Sequence, residues 1–175
     1  MLKTSYIFIL TLFLGCTLKS FSQNADCQTF INQAKQAKPI DEKDNLLRKA
    51  ADCGDESTQF YLGYTYYDVA EGHREELSDS IDDMKKFLIE IDIKNYGNKA
   101  IKYLEMAAKT GHPGAQAYLC LIYYEGHFVK ENFKEAELWA NKVKSNRRST
   151  SKEIDAVEAV LGRIEMIEAL EALGW

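Results

Sequence analysis

The sequence is poor in proline and in positive charge. Two prolines in 175 residues exclude a collagen-like or proline-rich chain. Lysine and arginine number 22 against 27 aspartates and glutamates, which gives a formal net charge of −5. Because nucleic-acid-binding surfaces depend on excess positive charge, we expect no nucleic acid among the partners. No apolar run reaches the length of a membrane-spanning helix, so we also expect no transmembrane segment.

The start of the chain has the pattern of a secretion signal. Lys3 supplies a positive charge, and residues 6–14 form a short apolar run. Ser20 and Ser22 place small side chains at the third and first positions before a cleavage point at Gln23. This order predicts a signal peptide over residues 1–22 and a mature protein that is periplasmic or secreted.

A lipoprotein is the alternative for the same segment. Leu14-Gly15-Cys16 resembles the end of a bacterial lipobox, in which Cys16 would carry the lipid anchor. Both interpretations place the folded part of the protein outside the cytoplasm.

The rest of the chain shows helical periodicity only. Apolar residues recur at three- and four-residue spacing, and the alternation typical of strands is missing, so we predict an all-α fold. The predicted helices are 24–38, 41–52, 58–67, 80–92, 99–109, 115–125, 133–144 and a C-terminal capping helix at 150–173. The last begins with a capping box formed by Thr150 and Glu153.

Two segments of the chain repeat the same pattern. Residues 54–67 align without a gap with residues 111–124 and share a glycine, a glutamine, a leucine and three tyrosines. The segments before them share a leucine, an Ala-Ala pair and the glycine that follows. This repetition predicts a duplicated helix–turn–helix unit.

The second copy carries a longer motif. It reads Ala115-x3-Leu119-x3-Tyr123-x2-Gly126-x2-Val129, followed by Phe133-x2-Ala136-x2-Trp139. This motif resembles the Sel1-like repeat, a relative of the tetratricopeptide repeat. Cys120 and Phe128 depart from it, because they stand at positions where the repeat has glycine.

The resemblance implies a short right-handed α-solenoid and a protein-interaction scaffold. It implies one domain over residues 23–175, with repeats at about 54–111 and 111–145. It also implies that the chain has no catalytic residues and no cofactor, and that its partner is another protein.

The first copy contains an insertion, residues 68–95. The spacing of Ile81, Met84, Leu88 and Ile91 predicts an amphipathic helix from about Ser80 to Asp92. Its cap would be formed by Ser80 and Asp83, and its outer face is acidic. Such an insertion either carries the particular function of the array or covers its open edge.

Cysteines and histidines indicate a disulfide and no metal site. Cys27 and Cys53 fall at equal height in a helical hairpin that turns at Pro39, which predicts a bridge in an oxidising compartment. Cys120 is expected to stay free and buried. None of the three histidines has a neighbour at a metal-ligand spacing, so no metal ligands are predicted.

The candidate binding residues follow from the concave face that a solenoid implies. Leu62 and Tyr66 should face the neighbouring helix, which turns the opposite side of each first helix toward a groove. The predicted partner-binding residues are Tyr61, Tyr64 and Asp68 in the first unit, and Tyr118, Leu121 and Glu125 in the second.

Two functions from different classes remain open. The first is a non-enzymatic binder of another envelope or effector protein, such as an inhibitor or immunity protein. The second is penicillin binding or weak β-lactamase activity, as suggested for some cysteine-rich Sel1-repeat proteins. Ser149-x-x-Lys152 and Lys109-Thr110-Gly111 match motifs of penicillin-recognising enzymes, although those enzymes place the second motif on a strand.

Overall fold

The computed structural model describes residues 26–38, 40–79 and 82–174. Within these ranges the chain forms seven helices and no strand, so the predicted all-α class is confirmed. The helices are α1 (26–36), α2 (Ile40–Asp52), α3 (Glu56–Asp79), α4 (Asp83–Lys109), α5 (Pro113–Glu125), α6 (Phe133–Ser145) and α7 (Ser151–Ala172). The predicted signal peptide, Cys16, Pro39 and Ser80 lie outside the described residues.

None of the described helices combines the length and the apolarity that crossing a lipid bilayer requires.

The contacts divide the chain into two compact units, Met1–Gln59 and Phe60–Trp175. In the first unit, Cys27 of α1 and Cys53 after α2 are paired at disulfide distance, with Cα atoms 5.7 Å apart. This agrees with the predicted bridge. The single domain and the right-handed solenoid that the sequence implies stay predictions.

The two copies of the duplicated segment make the same hydrogen bonds. The buried side-chain amides of Gln59 and Gln116 each donate to the carbonyl oxygen eight residues earlier, at 2.8 and 3.2 Å. Each turn also contains a glycine with positive φ, 109° at Gly54 and 93° at Gly111, where a side chain would be strained. The glutamine and glycine shared by the two copies therefore hold equivalent turns.

The predicted insertion helix is not a separate element, and this part of the sequence prediction is wrong. α3 continues to Asp79, and one uninterrupted helix, α4, replaces the predicted helices 80–92 and 99–109. Asp82 is the cap, since its Oδ1 atom accepts from the Lys85 backbone nitrogen at 2.8 Å. Gly97 lies inside α4, and Phe128 packs so closely against it that a Cβ at position 97 would lie 2.7 Å from that of Phe128.

The buried face of the N-terminal half of α4 also differs from the prediction. Ile89 and Ile93 are buried, whereas Met84, Leu88 and Ile91 are exposed. Because α4 is continuous, its buried face is set by the C-terminal half, where Ala100 and Leu104 are buried. Residues three or four positions apart share a helix face, and Ile93 and Ile89 lie on the same face as Ala100 and Leu104. Met84, Leu88 and Ile91, which the local spacing favours as the buried face, lie on another side of the helix.

The core of the second unit joins the C-terminal half of α4 to α5, α6 and α7. Its largest fully buried side chains are Leu104, Leu119, Ile122, Val143, Val157 and Ile164. Trp139 of α6 is 8% exposed and belongs to the same cluster. α7 starts with the predicted capping box of Thr150 and Glu153.

Candidate functional site

An apolar groove lies between α3, α5 and α7. It encloses about 410 Å³, within the range of ligand-sized pockets. Its walls carry aromatic and aliphatic side chains, and its charged residues are Lys152 and Glu153. Glu153 is held by the capping box, where it accepts from the Thr150 backbone nitrogen at 2.7 Å. The lining residues are Phe60, Gly114, Ala117, Tyr118, Leu121, Thr150, Lys152, Glu153, Ala156, Val157 and Val160.

Phe60 is fixed in this groove by the start of α5. Its ring stacks on His112, with centroids 4.2 Å apart. His112 caps α5, because its Nδ1 atom accepts from the Ala115 backbone nitrogen at 3.3 Å. A Cβ at Gly114 would lie 3.1 Å from the Phe60 ring. The helix start and the glycine together position the ring that lines one end of the groove.

The three predicted residues of α3 are exposed, as the helical wheel requires. Tyr61 is 50% and Tyr64 is 41% exposed, and Asp68 is exposed as well. Leu62 and Tyr66 are buried on the opposite side. None of the three exposed residues lines the groove itself, but Tyr64 lies beside it, with its ring 5.5 Å from that of Tyr118.

Two of the three predicted residues of α5 line the groove. Tyr118 and Leu121 are half-buried and pack against the core. Burial, Tyr64 and Asp68 raise the pKa of the Tyr118 phenol. Tyr118 therefore keeps its proton at neutral pH and can donate a hydrogen bond to a ligand.

Glu125, the third predicted residue of α5, belongs to a different cluster. His127 Nδ1 lies 3.1 Å from Glu71 Oε1 and 3.3 Å from Glu125 Oε2. The pKa of the Glu125 carboxyl is raised, chiefly by burial and then by the charge of Glu71, against the opposing effect of His127. Burial and the same two glutamates raise the pKa of the Tyr67 phenol.

No protein-family model, curated protein or solved structure matches this chain.

The Sel1-like resemblance consequently rests on the motif residues alone. The sequence predicted the wall of the groove that α5 forms, with Tyr118 and Leu121, but not the wall that α7 forms. The sequence predicts α7 only as a capping helix, whereas Ala156, Val157 and Val160 of α7 line the same groove as Tyr118 and Leu121 of α5. The three-residue spacing of Val157 and Val160 predicts that they lie on a buried helix face, but it does not predict which helix packs against that face.

The serine of the penicillin-enzyme motif has a structural role. The Ser149 hydroxyl donates to the Val143 carbonyl oxygen at 2.7 Å, and its backbone nitrogen donates to Asn146 at 3.0 Å. These bonds close the turn between α6 and α7. Lys109 and Gly111, from the other motif, lie at the end of α4 and in the turn that follows, and not on a strand.

A second apolar surface lies on α4. Met84, Phe87, Leu88 and Ile91 form a stripe at three- and four-residue spacing, and each is at least 40% exposed. We call these four residues the α4 stripe. It lies in the part of the chain predicted as an insertion, so it competes with the groove as a binding surface.

Proposed function

We propose that this chain is a non-enzymatic protein-binding module of the bacterial cell envelope, which binds its partner through the groove between α3, α5 and α7. The observation that carries the proposal is the groove's lining of aromatic and aliphatic side chains. Tyr118 adds a protonated hydroxyl at the wall. An apolar anchor side chain of a partner protein fits such a groove, because binding hot spots cluster in desolvated pockets and are rich in tyrosine.

The composition of the groove supports a binding role, because most of its described lining residues are apolar or aromatic. The one carboxylate among those residues, that of Glu153, is held in the capping box by the Thr150 backbone nitrogen. The sequence features of a secreted protein and the net negative charge agree with an envelope protein that acts on another protein, such as an inhibitor or an immunity protein.

The proposal is tested by placing a charge in the groove. Ala156 and Ala159 are both exposed alanines of α7, and only Ala156 lines the groove. We expect Ala156→Arg to lower capture of the partner from an envelope extract at least tenfold, because a buried anchor would meet an unpaired charge. Ala159→Arg, the matched control, should capture it like the wild type. The captured proteins are compared by quantitative mass spectrometry.

Truncations at the groove and at the α4 stripe then identify the surface that binds. Tyr64→Ala should change the stability by less than about 1 kcal/mol, because the ring is exposed. Leu121→Ala should cost more, since Leu121 packs against the core. If the groove binds, each should weaken binding by about 1–3 kcal/mol. Normal binding by these variants and loss of binding in a Met84→Ser, Leu88→Ser variant would assign the function to the α4 stripe instead.

A β-lactam hydrolysis assay distinguishes the binding proposal from the alternative, weak β-lactamase activity. We expect the purified chain to leave nitrocefin unchanged, because the Ser149 hydroxyl donates to a backbone carbonyl in a turn. Turnover by the wild type that disappears in Ser149→Ala would replace the binding proposal with an enzymatic one. Turnover that persists in Ser149→Ala would indicate a contaminating β-lactamase.

A further inference from the structure

Three side chains that are far apart in the sequence converge beside the α5–α6 loop. Glu71 comes from α3, Glu125 is the last residue of α5, and His127 follows in the loop. Each offers one ligand atom, and the three atoms lie within 4.8 Å of one another. We propose that Glu71, Glu125 and His127 bind a divalent transition-metal ion of the zinc class.

Two of the three separations between the ligand atoms are close to those of a tetrahedral site. Zinc binds nitrogen and oxygen at about 2.0–2.2 Å, so two ligands of a tetrahedral site stand about 3.3–3.6 Å apart. His127 Nδ1 lies 3.1 Å from Glu71 Oε1 and 3.3 Å from Glu125 Oε2. All three ligand atoms lie within 4.8 Å of one another, so small rotations of these side chains, each about a quarter exposed, would bring them around one ion.

The donor set selects the class of metal. An imidazole with two carboxylates suits zinc and its transition-metal neighbours. Calcium takes six to eight oxygen ligands, and magnesium keeps most of its water and uses oxygen ligands. One nitrogen and two carboxylate ligands are therefore a poor match for either, and three protein ligands leave a fourth position for water.

The surroundings orient the ligands and leave access to solvent. Arg74 Nε donates to Glu71 Oε2 at 3.1 Å, which occupies one carboxylate oxygen and leaves Oε1 toward His127. In metal sites, a residue that does not touch the ion commonly donates a hydrogen bond to a ligating carboxylate and so orients it. A cavity of about 460 Å³, lined in part by His127, Phe128 and Lys94, borders the site and gives room for water.

The turn between Glu125, at the end of α5, and His127 in the loop is fixed by Gly126. Gly126 ends α5 with a positive φ of 70°. A Cβ at this position would lie 2.9 Å from the Glu131 side chain and 3.0 Å from its backbone nitrogen. A side chain at position 126 would be strained, and this turn leaves the Glu125 Oε2 atom 3.3 Å from the His127 Nδ1 atom.

The test measures Zn²⁺ binding to the purified, untagged full chain after treatment with a chelator. Isothermal titration is expected to give one Zn²⁺ per chain. His127→Ala and Glu125→Gln should each weaken the affinity at least about tenfold, and Glu125→Gln keeps the shape of the side chain. His73→Ala is the matched control, because His73 is about as exposed as His127 and stacks on Tyr96 outside the cluster. It should bind like the wild type.

Substitution with Co²⁺ tests the geometry independently of affinity. A four-coordinate site should give the strong visible absorption of tetrahedral Co²⁺, and Glu125→Gln should lose it. Absence of one-to-one Zn²⁺ binding by the wild type would overturn the proposal, as would unchanged affinity in both ligand variants. Equal competition by Ca²⁺ would overturn the assigned class of metal. The result does not depend on the groove, since neither glutamate nor His127 lines it.

Discussion

Replacing Trp139 with alanine is expected to lower the free energy of unfolding by about 3–5 kcal/mol, as for other large aromatic side chains removed from a core. The indole is 8% exposed and packs in the cluster that joins α4, α5, α6 and α7. The Nζ atom of Lys142 also lies 3.7 Å from the ring centroid, so the ring makes a cation–π contact on its outer side. Alanine would leave a cavity and remove that contact.

The preceding residue of the same helix provides the control. Leu138 is 47% exposed, so Leu138→Ala should change the stability by less than about 1 kcal/mol. Urea unfolding of both variants, followed by circular dichroism, measures the difference. Equal midpoints for Trp139→Ala and the wild type would show that the ring does not support the core and that the repeat motif has been misaligned.

Loss of the Cys27–Cys53 bridge should lower the free energy of unfolding by about 3 kcal/mol. The bridge closes a loop across a sequence separation of 26 residues, and this lowers the conformational entropy of the unfolded chain. The effect is expected in the first unit, where the buried apolar residues among those that the structure describes are Cys27, Ala34, Ala50 and Ala51. So small a set buries little apolar surface, and the cross-link should contribute a large part of the stability there. Unfolding of the Cys27→Ser, Cys53→Ser variant measures it.

Peptide mapping without reductant tests the pairing itself. It should find Cys27 joined to Cys53 and Cys120 as a free thiol. Burial raises the pKa of the Cys120 thiol to about 12, so little thiolate exists at neutral pH. Cys120 should therefore resist alkylation until the chain is unfolded. Finding Cys120 in a disulfide would mean that the first hairpin pairs differently.

The sequence by itself determined the helical class and the local details of the duplicated unit. Helical spacing depends on which residues of one segment are apolar, and caps depend on residues three apart, so both are local properties. The capping box at Thr150, the burial of Trp139 and the turns at Gly54 and Gly111 follow from such patterns. The Cys27–Cys53 pair could also be predicted from the sequence. In a helical hairpin, two residues at similar sequence distances from the turn lie at the same height and can approach each other.

Only the tertiary structure decided which residues of different helices meet. Local spacing favoured Met84, Leu88 and Ile91 as the buried face of a separate helix. The packing of residues 97–104 in the continuous α4 buried Ile89 and Ile93 instead. One wall of the groove is formed by α7, which the sequence predicts only as a C-terminal capping helix. His127 and Glu71 are 56 residues apart and meet through the fold, because packing between helices, unlike periodicity within one, depends on the whole chain.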